Sequence, residues 1–434
     1  MQLKRPVSQL HLGLMAASCA LLSSTARAQT ADANQPPQID QPLQIDADLL
    51  YYKENAGRVQ TIEPIVSLKK DFGDQRVLDG TFTLDSLSGA TPNGAIPAHQ
   101  PQTFASPSSS SLTPKPGAKT TLYTIAPGDL PQDPHFKERR VAGDLDWSQP
   151  LGLDNTLSYG GHLSTEHDFD SVAAHAGLSH DFNEKNTTLS AGVSEEYDRI
   201  HAHGGNPVPG SDYALYEKEP NQTKTVAGGL IGVTQVLSRN WLTELNYTYD
   251  RSQGYLTDPY RILSVVDATG LVASYRYENR PDTRARQSLY WVNKVALGST
   301  VLDLSYRRGK DSWDVGSDTV DARLRIDLGH RVYLEPHARW YRQSAADFYS
   351  LYLSETGPAP VFMSADPRLA AFSATTFGAK LGMTAGRNGE FSLRLEQYQQ
   401  RPTEQSSSLT ALQGLNLNPN LKATIVQLSY HLEY

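Results

Sequence analysis

Val426, Leu428, Tyr430, Leu432 and Tyr434 alternate with Gln427, Ser429, His431 and Glu433. A period of two predicts a strand with one apolar and one polar face. In an outer-membrane β-barrel the apolar face meets lipid and the polar face lines a lumen. A closing strand that ends on an aromatic is also what the assembly machinery reads, so Tyr430, Leu432 and Tyr434 are the candidate assembly signal. The same alternation recurs along the chain between turn signals. Short connections fall at Phe72–Gln75, Pro150–Gly152, Asn183–Asn186, Ser238–Asn240, Gly298–Thr300, Gly329–Arg331 and Gly386–Gly389. Between them lie connections that are mostly longer, at residues 87–136, 200–222, 255–283, 346–371 and 402–420. Three others on that side, near 55–57, 166–170 and 312–316, are short. Every long connection falls on one side of the alternation. Bacterial barrels have short periplasmic turns and long outer loops, so the parity predicts an all-β, transmembrane, antiparallel up-and-down barrel over residues 44–434. The segments count to about sixteen strands, within about fourteen to eighteen, with both chain ends in the periplasm.

The hairpin around Gly329 sets the register. Val320, Ala322, Leu324, Ile326 and Leu328 alternate on the way in, and Val332, Leu334, Pro336, Ala338 and Trp340 on the way out. Both sets share a face only if an odd number of residues turns, which makes Gly329-His330-Arg331 the turn. The opposite face then pairs Arg325 with Glu335, Arg323 with His337, and Asp321 with Arg339. Charges on a lipid face cost about 2–4 kcal/mol at the midplane, so this ladder of charge is expected to line the lumen. Pro336 removes a ladder donor, and a bulge is expected there.

Lys4 and Arg5 precede an apolar run from Leu10 to Leu22, and Ala26-Arg27-Ala28 supplies small residues for cleavage. Residues 1–28 read as a signal peptide and 29–43 as a polar, flexible periplasmic leader. Cys19 follows Ala16-Ala17-Ser18, as in a lipoprotein, but the apolar run continues past it to Leu22, which argues against lipidation. Cys19 is the only cysteine, so a mature chain has no disulfide, and a closed hydrogen-bond ladder would hold it together. Only 38% of residues are hydrophobic, yet Tyr occurs 22 times and Gly 32 times, which suits half-polar strands with aromatic girdles. The net charge is −8, and removal of Lys4, Arg5 and Arg27 with the signal peptide would leave the remainder more acidic still. That balance gives no reason to expect nucleic acid.

Several stretches resemble the domain-of-unknown-function family 3570 of Gram-negative outer-membrane proteins. They are Asp85-Ser-Leu-Ser-Gly-Ala-Thr-Pro92, Tyr306-Arg307-Arg308 with Asp311-Ser312-Trp313-Asp314, Arg339-Trp-Tyr-Arg-Gln343 with Ala346-Asp347-Phe348-Tyr349, and Ser364-Ala-Asp-Pro-Arg-Leu369. Thr121-Leu-Tyr-Thr124, Pro127-Gly128 and Phe136-Lys137 extend the likeness, which covers nearly the whole mature chain. The resemblance implies an outer-membrane barrel and no established activity. The serine- and proline-rich stretch Ser106–Ser111 departs from it and reads as a mobile surface segment.

Candidate chemistry is sparse. His201 and His203 lie near Glu195, Asp198 and Asp212, where two imidazoles and a carboxylate could meet a metal, but a solvated polar loop needs less. His203-Gly204-Gly205 has no Gly-x-Ser-x-Gly elbow to accompany it. His162, Ser164 and His180 could serve a barrel lipase only if they faced lipid at the outer edge. Asp79, Thr83 and Asp85 precede a Gly/Pro turn without the spacing of a calcium loop. The reading is therefore of no enzyme, no metal and no cofactor. Residues 346–371 carry Phe348, Tyr349 and Tyr352, too apolar for a wholly exposed loop, and are expected either to fold into the mouth as a constriction or plug or to pack against a neighbouring loop. Asp321, Arg323, Arg325, Glu335, His337 and Arg339 either select solutes or brace the wall. Two functions stay open: a passive or loop-gated pore for small solutes, and a plugged barrel that binds at the surface or organises periplasmic partners. Both place the chain in the cell outer membrane, in contact with its lipids and assembled by its machinery.

Overall fold

The computed structural model describes residues 42–106, 122–403 and 407–434. The signal-peptide and leader expectations thus fall almost wholly outside the described residues, as does most of the serine-rich stretch. Sixteen strands close one antiparallel barrel. They are β1 (Leu43–Glu54), β2 (Gln60–Asp71), β3 (Val77–Pro92), β4 (Gln132–Pro150), β5 (Asn155–Thr165), β6 (Phe169–Phe182), β7 (Thr187–Ile200) and β8 (Gln222–Ser238). There follow β9 (Trp241–Gly254), β10 (Thr283–Leu297), β11 (Thr300–Asp311), β12 (Gly316–Asp327), β13 (Val332–Gln343), β14 (Phe372–Ala385), β15 (Gly389–Pro402) and β16 (Leu421–Glu433). Each strand pairs with the next, and β16 pairs with β1, so no edge is left open. All five long connections leave one rim, as the parity predicts.

Alternation sorts the side chains. Leu145, Leu163, Val193, Ile231 and Phe377 point outward and are 59–65% exposed on the isolated chain. Their cross-strand neighbours are outward too, for example Val172 opposite Leu163 and Tyr247 opposite Ile231. Leaving such a surface in water is unfavourable, at about 25 cal/mol per Å² of apolar area, so this is a lipid-facing exterior. Aromatics mark both edges of the band. Trp147, Phe182, Trp241, Phe391 and Tyr430 lie toward the short turns, and Tyr51, Tyr197, Tyr249, Tyr306 and Trp340 toward the long loops. At the seam the Phe391 and Tyr430 rings sit 4.4 Å apart.

The hairpin at Gly329 has the predicted turn, with Gly329 at φ 112°, a conformation favouring glycine. Asp321 stands opposite Arg339 and Arg323 opposite His337. No bulge forms at Pro336: the register is the same on both sides of it, and the proline pairs with Ala379 on β14. A missing donor interrupts the ladder toward β12 without shifting it. The long connections are folded rather than loose. Residues 87–92 and 132–136, expected in a loop, extend β3 and β4, and Gln102–Ala105 pairs with Leu122–Ile125. Ile262–Val266 and Val272–Tyr277 form a second hairpin, and Leu353–Ser354 adds to it in parallel.

The orientation is testable. Thr356 and Asn388 are both exposed, on opposite rims. An impermeant thiol reagent on whole cells is expected to label Thr356→Cys and spare Asn388→Cys. The reverse pattern would invert the barrel.

Candidate functional site

The lumen wall is lined with charge, acidic in one sector and mixed in sign in another. Asp46 and Asp48 on β1, Asp79 on β3, and Asp144 and Asp146 on β4 face inward in one sector, with Asp79 directly opposite Asp146. Arg307, Arg323, Arg325, Arg339, Lys380 and Arg394 occupy inward positions on β11–β15. Around His337 the second sector is networked. Its Nε2 lies 2.9 Å from Asp321 and its Nδ1 2.8 Å from Glu396. Arg394 reaches Glu396 at 3.0 Å and Glu335 at 3.2 Å, and Lys380 reaches Glu335 at 3.5 Å.

The cross-strand ion pairs expected from register alone do not form. Arg325 lies over the Tyr333 ring at 3.6 Å and pairs with Asp327 at 3.2 Å, while Glu335 turns to β14 and β15. Asp321 opposes Arg339 in the ladder, yet its carboxylate engages His337 and, at 3.5 Å, Arg323. The cause is room. A Cβ on Gly382 would stand 2.1 Å from the Tyr333 ring, so that glycine lets the ring lie against β14 and offers Arg325 a π-face. Strand twist also brings diagonal neighbours within reach of long side chains.

The long connections meet in a cap. Ile96 of the β3–β4 connection, Val266 of β9–β10, and Leu412 and Leu417 of β15–β16 form one buried cluster, with Leu351 and Tyr352 of β13–β14 against it. Those four junctions are spread around the ring with no gap as wide as half of it. A point where all four touch therefore lies across the mouth, not outside the wall. Phe104 and Tyr123 of one hairpin pack with Ile262 and Tyr277 of the other, with Tyr213 of the β7–β8 connection alongside. Phe348 stacks edge-on against Trp313 at 5.1 Å, Tyr349 joins the same cluster, and the Tyr352 hydroxyl is 2.7 Å from that of Ser407.

A buried ion cluster fastens the cap. Glu278, Ser364 and Asp366 are fully buried. Arg280 lies 2.7 Å from Glu278 and 2.7 Å from Asp366, Arg368 lies 2.6 Å from Asp258, and Ser364 donates to Glu278 at 2.5 Å. Arg261 bonds the Pro92 carbonyl at the end of β3. Burial disfavours charge on Asp258 and Asp366, but Arg368 and then Arg261 outweigh it and hold both carboxyls below their usual range. Beside the cluster a cavity of about 580 Å³ is lined by Phe104, Tyr123, Tyr260, His167, His203 and Asp168, among others.

The remaining candidates are dispersed. His201 bonds Asp170 at 3.0 Å, Asp198 pairs with Lys224, and Asp212 caps a short 3-10 turn. His162 is held by Asp144 at 2.6 Å on the lumen side, Ser164 shares that face, and His180 lies at the opposite end of the barrel. Asp85 is 2.5 Å from Arg140. Three carboxylates not singled out from the sequence do converge, those of Glu138, Glu166 and Asp168.

The family model described as "Protein of unknown function (DUF3570)" matches residues 12–432, and the chain belongs to that family. No curated protein matches it. Among solved structures it resembles the Pseudomonas aeruginosa protein OccK2 in complex with glucuronate at 12% identity and TM-score 0.39, over 92% of this chain and 100% of that one. It resembles the outer-membrane protein opdK of the same organism at 10% identity and 0.39, over 91% and 99%. A bacterial polysaccharide outer-membrane secretin superposes at 6% identity and 0.43, over 92% and 100%.

Proposed function

We propose that this protein is an outer-membrane channel for small polar solutes whose outer mouth is closed by a folded cap of loops. The reading rests on one observation: the connections above β3, β9, β13 and β15 share a single apolar core across the end of a polar lumen. A sixteen-stranded wall is wide enough to leave an aqueous path, and the charge on it suits polar solutes better than apolar ones. A cap built from loops, not from strands, can move without breaking the barrel. The second reading is a plugged barrel that presents its cap to partners. It is favoured by the fully buried Glu278 and Asp366, which fix the cap firmly.

Planar-bilayer recording separates the two. The channel reading expects conductance from the purified wild type, and a shift toward cations in Arg323→Glu with Arg325→Glu. That shift should shrink in high salt, because the Debye length falls from about 10 Å at 0.1 M to about 3 Å at 1 M. A conducting double variant with wild-type selectivity would make the ladder a brace only. A folded wild type that never conducts would favour the plug.

A further inference from the structure

We infer that the outer rim carries a divalent-cation site formed by Glu138, Glu166 and Asp168, and that it takes a hard cation of the calcium kind. Glu138 stands near the outer end of β4, and Glu166 and Asp168 occupy the three-residue turn between β5 and β6. One carboxylate oxygen of each lies within 4.8 Å of the others. Ligands on one calcium ion, each about 2.3–2.6 Å from it, are roughly 3–5 Å from one another, so the spacing fits.

Such convergence of like charge favours a bound counter-ion, since neighbouring carboxylates oppose one another's ionisation. Arg140, on the same strand as Glu138, is committed to Asp85 at 2.5 Å. Asp168 is only 6% exposed, and its buried Oδ1 has no hydrogen-bond partner among the described residues. A buried carboxylate oxygen left in that state is costly unless something ligates it.

The backbone holds the three groups together. The Glu166 amide donates to the Phe169 carbonyl at 2.7 Å, and the His201 amide to the Asp168 carbonyl at 2.9 Å. The His167 amide donates to Glu138 at 3.2 Å. These bonds fix the turn and tie the Glu138 carboxylate to it. All three donors are oxygens, which suits calcium or magnesium better than zinc, and the flexible coordination of calcium asks least of the geometry. The nearby imidazoles of His167 and His203 are engaged with each other at 3.2 Å. Glu138 and Asp168 also line the 580 Å³ cavity, which gives the ion access and room for its waters. Tyr260 of the cap lines the same cavity as Asp168, so the ion would tie the cap to the wall.

Tyr260 makes the site readable by terbium, a calcium substitute whose emission a nearby tyrosine excites. The test uses the purified full-length barrel, stripped with a chelator and shown folded by its heat-dependent gel shift. The wild type should give saturable terbium emission that calcium displaces. Asp168→Asn and Glu166→Gln should each weaken terbium binding about tenfold or more, as loss of a charged ligand does. Tyr260→Phe should lower the emission while calcium still raises its melting temperature. Should Asp168→Asn not fold, Glu166→Gln at the half-buried position carries the comparison. Wild-type binding in a folded Glu166→Gln variant, or no calcium-displaceable emission from the wild type, overturns the site.

Discussion

Leu428→Arg is expected to remove the folded barrel from the membrane fraction. Leu428 lies outward on β16, opposite Leu49 on β1 and Leu393 on β15, and is 51% exposed on the isolated chain. A charge at the lipid midplane costs about 2–4 kcal/mol, a large share of the roughly 5–15 kcal/mol that holds a domain folded. The position adds to the effect, because β1 and β16 are the ends of the chain's sheet and closure depends on them alone. The neighbouring Gln427→Arg is the control. Its side chain points inward and already bonds Asp48 at 2.9 Å, so an arginine there gains a partner. Heat-modifiable protein should be present at wild-type level for Gln427→Arg and nearly absent for Leu428→Arg. Equal levels would mean that the outer face is not in lipid.

Arg280→Met should open the cap and spare the barrel. Arg280 bridges Glu278 and Asp366, both fully buried, and its removal leaves two carboxylates without their shared cation. Breaking one partner out of a buried ion pair costs about 3–5 kcal/mol. The cap has its own small apolar clusters and is joined to the wall through loop ends, so the loss should fall on the cap. Limited proteolysis of the folded variant should cut within Ile262–Val266, a strand wholly buried in the wild type. A variant as resistant as the wild type would show that the apolar core holds the cap unaided.

The barrel was legible because its signals are local. Turn residues such as Gly329, the parity of connection lengths and the period of two each fall within a dozen residues, and together they determine strand number and facing. The facing of Asp321 and Arg339 followed from the same parity. The partners of Arg325 and Glu335 did not, because they depend on Tyr333, Gly382 and Arg394, brought together only when β12 to β15 lie side by side. Pro336 misled for the opposite reason. A proline rule that looks at one strand cannot see that both neighbours keep their register.

The cap was half legible. Phe348, Tyr349 and Tyr352 announced that residues 346–371 could not lie open to water. Ile262-Leu263-Ser264-Val265-Val266 carried the same message, a wholly buried strand inside what read as a loop. Nothing local tells that Ile96, Val266 and Leu412 share a core, since they stand about 150 residues apart or more. The carboxylate cluster was hidden likewise: Glu166 and Asp168 occupy an unremarkable short turn, and Glu138 joins them only through the β4–β5 hairpin.

Single-channel recording of the wild type beside a variant with residues 262–277 replaced by a short Gly/Ser linker tests the capped channel most directly. The hairpin supplies Ile262, Val266 and Tyr277 to the cap and nothing to the barrel ladder. The wild type should show small, intermittently closed conductance, and the variant a steady and larger one. Two folded proteins with the same conductance, open or closed, would contradict a cap across the path.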